Sequence, residues 1–460
     1  MTKIIQNLYK YLFQDKKFYQ NLYKIALPII IQNFIASSLN MVDTMMIGRV
    51  GEIQIAAVGI ANQYFFLFNL LLIGICSGCG IFISQFWGKR DIVNIKKVLG
   101  MGMIAGAVLA TIFTVIALYI PNQIINIFNT DPKVISEGVK YLKIVCISYI
   151  FTAITFNFGF ASRCIENAIL PMIVSSFALL FNTFFNYVFI FGNFGSKAMG
   201  VEGAALATLL ARIIEASLLV GYIYFSKGVL AAKCSEMFSL SKDFIKKVLD
   251  TVIPVVLNEG CWGLGFVVYS VAYGRIGMQA MAAVQICNTV QNVFMVFIFG
   301  MSNASVVMIG NQIGAGHEDQ AKIYAKRFSL LACLVGICLA SILAISAPFI
   351  LSFFNISDTV YHSALMILYI NAGILLIRVF NCLLIVGILR AGGDAKRALF
   401  IEAFTMWCIG VPLAFLGAFY FKLPVHYVVA LVTVEELFKF ILGIPRLLSN
   451  KWIRNITENM

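Results

Sequence analysis

Asp43 is a carboxylate inside a long apolar run, and it is the residue in this chain most suited to chemistry. Asn33, Ser37 and Asn40 precede it at intervals of three to four residues, which puts all four on one stripe of a helix. Asn182 and Asn186 are one helical turn apart, and Thr208 precedes Arg212 by another turn. If these side chains converge, they form a cation site in the amino-terminal half of the chain. Burial of a carboxylate favours proton uptake, and its amide and hydroxyl neighbours are hard oxygen donors that also suit a small metal ion such as sodium. The residues leave proton and sodium open. A purely structural Asp43, hydrogen-bonded to neighbouring helices for about 1 kcal/mol, is the competing reading.

A second set of polar residues lies in the other half. Glu259 and Arg378 are ionisable groups in apolar runs, with Gln285, Asn288, Gln291 and Asn381 as polar neighbours. Each charge in hydrocarbon costs about 2.5 to 3.5 kcal/mol on insertion scales, so each is expected to have a partner or a task. A Glu259–Arg378 pair is one expectation, and a substrate-facing polar site is the other. Arg212 and Glu215, three residues apart, are expected to pair along one helix face. Arg212 and Arg378 are the cations this reading places within the membrane.

Other reactive residues give no site. The eleven cysteines fall almost all in apolar runs, and the Cys76-x-x-Cys79 spacing there reads as packing. His317, His362 and His426 fall in separate loops or helix ends, and no metal site can be argued from them. No nucleophile with its base and no metal cluster is visible, so the chain is not read as an enzyme and no cofactor is expected.

The elements that must carry these residues are helices. Hydrophobic residues make up 61% of the chain and charged ones 12%, too little polar surface to cover a soluble domain. Twelve apolar blocks of about twenty residues, near 25–47, 54–85, 98–120, 144–161, 169–192, 200–225, 251–272, 280–309, 329–354, 364–389, 399–420 and 425–445, are each long enough to cross roughly 30 Å of hydrocarbon. They are continuously apolar, whereas a barrel strand would alternate. Lys and Arg crowd one set of connections, including Lys89, Arg90, Lys96, Lys97, Lys242, Lys246 and Lys247, which predicts both termini on the cytoplasmic side of a cell inner membrane. The net charge of +13 is spread between the blocks, which excludes a nucleic-acid stripe.

The chain is also written twice. An offset of 226 residues places Pro28 on Pro254, Gly48-Arg49 on Gly274-Arg275, Ala56-Ala57-Val58 on Ala282-Ala283-Val284 and Phe128-Asn129 on Phe354-Asn355. One inserted residue then brings Arg163 onto Arg390. Such a register over a hundred residues marks an internal duplication. Six helices per repeat is an even number, so the expected fold is all-α, twelve transmembrane helices in two six-helix lobes related by a pseudo-two-fold axis along the membrane normal. The expected divisions are an amphipathic segment at 1–24 on the inner leaflet, lobes at 25–226 and 251–447, a basic linker at 227–250 and a tail at 448–460. Pro28 and Pro254 are hinge candidates, with a first-turn position as the alternative. A monomer in the lipid bilayer is expected.

The run ALPIIIQNFIASSLNMVDTMMIGRVGEIQIAAVGIAN from Ala26 to Asn62 resembles the opening of a multidrug and toxic-compound extrusion (MATE) transporter of prokaryotic type. The start of the second repeat and GILRAGGDAKRA from Gly387 to Ala398 resemble the family too. The resemblance covers nearly the whole chain. It implies antiport, with inward sodium ions or protons driving export of organic, often cationic, compounds through a cleft that opens alternately to each side. It also implies that the coupling cation binds in the amino-terminal lobe, with Asp43, Asn182 and Thr208 matching the family's site. The family's second acidic position in the fifth helix is Asn186 here, one negative charge fewer. Some members use acids of the seventh and tenth helices; Glu259 resembles the first, and nothing near Arg378 matches the second. A flippase for a lipid-linked precursor, from the same wider superfamily, is the alternative function.

Overall fold

The computed structural model describes residues 15–354, 356–458 and 460, apart from the side chains of residues 39 and 40. Twelve long helices follow one another: α1 Lys16–Gly48, α2 Glu52–Lys89, α3 Ile92–Tyr119, a bent α4 of Pro132–Val145 and Ser148–Cys164, α5 Ile169–Phe191, α6 Val201–Phe225, α7 Lys242–Ile276, α8 Met278–Gly314, α9 Glu318–Leu351, α10 Asp358–Leu389, α11 Ala395–Tyr420 and α12 Val425–Leu448. Ten of them are single helices long and apolar enough to cross a bilayer, and the two halves of α4, bent by 50°, make an eleventh span. The twelfth, α12, is 24 residues long and carries Glu435, Glu436 and Lys439 in its middle. Large apolar side chains such as Leu180 and Ile345 stay exposed along these helices, which suits lipid rather than water.

The duplication is visible in the helices. α1 begins at Lys16 and α7 at Lys242, and Pro28 and Pro254 both stand twelve residues further on, inside their helices. Neither proline occupies a first turn, so each removes a hydrogen bond from a helix interior. The offset of 226 holds to Asn355 and becomes 227 at Arg390. Within that interval Leu383–Leu389 is wound as a π-helix, the form an α-helix takes when it absorbs an extra residue. Two more π segments, Met406–Gly410 and Leu416–Tyr420, lie in α11.

The described residues fall into two compact units. One gathers 27–87 and 91–256, and its helices approach closely at small residues. A Cβ on Gly74 or Gly78 would stand 2.7 Å from the Cα of Val256 and 2.9 Å from that of Val252, so backbone meets backbone there. The side-chain amide of Asn157 fills the space beside Gly102 and Gly106, and Phe68 stacks on Tyr149 with centroids 4.7 Å apart. The other unit gathers 15–26, 88–90 and 257–458. There Asp15 accepts the Phe18 amide at 3.1 Å, capping α1, and pairs with Arg327 at 2.5 Å. Phe18 is fully buried on Tyr324 and Phe328. At the far end of the chain Trp452 is 1% exposed and presses on Gly392, while the Arg454 amide donates to the Gly392 carbonyl at 2.9 Å.

Residues 1–14 of the expected amphipathic segment lie outside the described residues. Residues 16–24 are the first turns of α1.

Candidate functional site

In the first unit α1, α5 and α6 bring a set of polar oxygens together. The Asn186 Nδ2 donates to Asp43 Oδ1 at 2.5 Å and to Asn182 Oδ1 at 3.0 Å. Asn182 and Asn186 are each 1% exposed. With its amide nitrogen shared between those two oxygens, Asn186 has its own Oδ1 buried and without a hydrogen-bond donor among the described residues. Thr208 donates its hydroxyl to the Ala204 carbonyl at 3.0 Å, so toward its other neighbours that oxygen acts as an acceptor. Tyr141, from α4, is buried with its hydroxyl against Thr208 and within the field of Asp43. Sequence reasoning missed Tyr141, because nothing in the spacing of α4 points toward α1. Of the polar stripe on α1, Asn33 is half-buried, Ser37 is exposed, and the side chain of Asn40 is outside the described residues.

Behind this cluster runs a chain of polar contacts. Arg163 Nη2 donates to Gln32 Oε1 at 2.6 Å, Gln32 Nε2 donates to Ser175 Oγ at 2.9 Å, and Ser175 Oγ donates to Glu215 Oε1 at 2.9 Å. Arg212 closes it on the other oxygen of Glu215 at 2.7 Å. The network ties α4, α1, α5 and α6 together through four side-chain contacts.

The second unit repeats this layout with the charges redistributed. Arg390, the repeat of Arg163, donates to Asn258, the repeat of Gln32, and pairs with Glu259 at 2.7 Å. Counting from the first residues of α6 and α12, Arg212 matches Glu436 and Glu215 matches Lys439, so the i,i+3 ion pair recurs with its signs reversed. In the register set by Arg163 and Arg390, Glu402 stands where Ser175 does, and it accepts from Lys439 at 2.8 Å.

The expected Glu259–Arg378 pair is therefore corrected. Arg390 holds Glu259, and Arg378 turns to Glu436 at 3.6 Å. Asn381 donates to the same Glu436 carboxylate at 2.8 Å. Gln285 is exposed and Asn288 half-buried on α8, and neither joins this hydrogen-bonded set among the described residues. Lys439 and Arg390 are buried cations as well, 4% and 2% exposed. Glu402, Glu435, Glu436 and Lys439 escape a reading based on apolar density, because single charges hardly lower the average over twenty residues. The spacing of three and four that sets Glu435 and Glu436 against Lys439 on α12 was the available signal.

The rings of His362 and His426, near the starts of α10 and α12, lie 6.1 Å apart. Among the described residues no three His, Cys, Asp or Glu side chains are arranged to hold a metal. Cys76 and Cys79 are buried free thiols on α2.

Comparisons with known proteins agree with this architecture. The sequence is 24% identical over 450 residues to the uncharacterized transporter YisQ of Bacillus subtilis, covering 96% of each chain. It is 25% identical over 450 residues to the probable multidrug resistance protein NorM of Thermotoga maritima, covering 94% of this chain and 93% of that one. Among solved structures, the outward-facing form of a multidrug resistance MATE transporter of the MOP superfamily superposes with a TM-score of 0.85 at 17% identity, over 94% of this chain and 96% of the other. A MOP superfamily transporter from Pyrococcus furiosus, described as having a binding pocket of reverse polarity, superposes at 0.84 with the same identity and coverage. These structural neighbours share the twelve-helix, two-lobe fold. The MatE family matches twice, over residues 28–188 and 254–416, and the two matches start 226 residues apart as the duplication does. Together those matches cover more than two thirds of the sequence, and this chain belongs to the MatE family of membrane transporters.

Proposed function

We propose that the protein is a secondary antiporter that exports organic, often cationic, compounds by alternating access, in exchange for inward sodium ions or protons bound at Asp43. One observation carries the reading: Asp43 accepts from a buried amide, Asn186, whose own oxygen lacks a donor. A carboxylate with an unsatisfied oxygen beside it, and Asn182, Thr208 and Tyr141 around it, is a set of oxygens suited to hold a positive charge. Either a proton or a sodium ion supplies one, and the donors fit both. Asn186 replaces a carboxylate of the family pattern, which lowers the local negative charge and favours the proton.

The basic residues of one set of connections support an orientation with both termini in the cytoplasm of the inner membrane. The lipid-precursor flippase gains nothing from the buried cations. Arg163, Arg390 and Lys439 are each engaged by side chains of their own unit.

The test is uptake of ethidium into proteoliposomes under an imposed sodium gradient and then a proton gradient. A gradient that drives ethidium movement in wild type, with the coupling lost in Asp43→Asn, supports the reading and names the ion. Coupled movement that persists in Asp43→Asn refutes the site assignment.

A further inference from the structure

The second unit holds a buried charge cluster that none of the preceding roles uses. Three carboxylates, Glu402, Glu435 and Glu436, meet two cations, Lys439 and Arg378. Lys439 Nζ lies 2.8, 3.4 and 3.7 Å from oxygens of the three acids in that order. Arg378 reaches Glu436 alone. Glu259 does not enter the count, because Arg390 balances it. The set therefore carries one uncompensated negative charge, with every carboxylate 9% exposed or less.

Two features show that the place is built rather than incidental. Tyr269, the repeat of Asp43, donates its hydroxyl to Glu435 Oε2 at 2.5 Å. Gly410 lies flush against that pair, with a Cβ there falling 2.0 Å from the Tyr269 oxygen and 2.3 Å from Glu435 Oε2. On the opposite side Asn381, 2% exposed, gives its amide nitrogen to Glu436, while its Oδ1 is buried with no donor among the described residues. A buried acceptor without a donor thus lies on a residue bonded to one of the carboxylates of a set that carries one negative charge too many. The other titratable groups facing the cluster are Tyr273 on α7, in the field of Glu435, and Cys261 on α7 and Cys382 on α10, in that of Glu402.

We infer that the cluster of Glu402, Glu435, Glu436, Lys439, Arg378 and Tyr269 is a proton-binding site in the carboxy-terminal half, separate from Asp43 and from Glu259. One proton, shared among the three carboxyl groups, brings the set to neutrality. The inference leans on the export reading only for the use of that proton as a coupling ion.

Infrared difference titration of the purified full-length protein, reading the protonated carboxyl band, tests it without substrate or gradient, and so stands or falls independently of transport. In Asp43→Asn, one carboxyl is expected to remain titrating above about pH 5.5, where exposed carboxylates are ionised. Adding Glu435→Gln or Glu402→Gln leaves two acids against two cations and removes that band. Adding Lys439→Gln leaves three acids against one cation and raises the count to two. Tyr269→Phe keeps all the charges but withdraws a donor from the ionised form, moving the midpoint to higher pH, and it decides the matter should the other variants not stay monodisperse. No titrating carboxyl in Asp43→Asn, a band indifferent to the Glu435 and Glu402 changes, or an unmoved midpoint in Tyr269→Phe overturns the proposal.

Discussion

Gly410→Ala puts the packing around the Tyr269–Glu435 pair to a quantitative test. The new methyl group would lie 2.0 Å from the Tyr269 oxygen, against a floor near 3.0 Å for real contacts, so the hydroxyl has to retreat by about 1 Å. A 2.5 Å hydrogen bond does not survive that movement. Loss of a hydrogen bond to a charged group costs about 1.5 to 3 kcal/mol, and forcing a methyl group into a packed interior adds roughly 1 to 3 kcal/mol. The better helix propensity of alanine returns about 1 kcal/mol. A net destabilisation of roughly 1.5 to 5 kcal/mol is expected, seen as a lower midpoint of thermal unfolding in detergent micelles. The decisive arm is Gly410→Ala in a Tyr269→Phe background, where the nearest clashing atom is gone. The effect of the methyl group should shrink there, giving a coupling of about 1 to 3 kcal/mol in the double-mutant cycle. Additive effects, or a Gly410→Ala protein as stable as wild type, would refute the geometry.

Arg163→Leu and Gln32→Leu should each destabilise the first unit, with Arg163→Leu costing about 3 to 5 kcal/mol, and the pair should be strongly non-additive; additivity by thermal unfolding would break the polar chain described here. Asp15→Ala removes the cap of α1 and should cost about 1 kcal/mol. The Arg327 guanidinium, hydrogen-bonded to Asp15, holds that carboxyl below the usual aspartate range. Its contribution is therefore full above about pH 4 and is lost as pH falls through the lower folded value, so acid titration of wild type and Asp15→Ala should converge only at the acid end. Trp452→Ala empties a fully buried position in the tail and should cost about 3 to 5 kcal/mol, accompanied by faster proteolysis of residues after 448.

The twelve helices, the duplication and the Asp43–Asn186–Asn182 grouping were legible because they rest on local properties: apolar length, a constant register and helical spacing. The partners of Glu259 and Arg378 were not, since which arginine reaches Glu259 depends on how α7 lies against α10. Sequence order made Arg378 and Arg390 equally eligible, and only the register of Arg163 on Arg390, read together with Gln32 on Asn258, could have chosen. The charges of α12 were hidden differently. A long apolar helix absorbs three ionisable residues without losing its average character, and a buried ion cluster becomes visible only when each charge is asked for its partner. Tyr141, through its hydroxyl, and Gly410, through its shape, act from helices that no motif ties to a site.

The π-wound turn before Arg390 has a consequence for how the two halves of the chain grew apart. An extra residue in an α-helix rotates everything beyond it by about 100° and pushes it 1.5 Å onward, enough to swing an arginine from protein toward lipid. A local wide turn takes up that slack within two turns of helix, so the bearing of Arg390 on Asn258 matches that of Arg163 on Gln32 although the two segments differ in length. The turn works as an expansion joint: length errors accumulate there and stop, and the buried arginine beyond it never registers that its copy of the message is one residue longer.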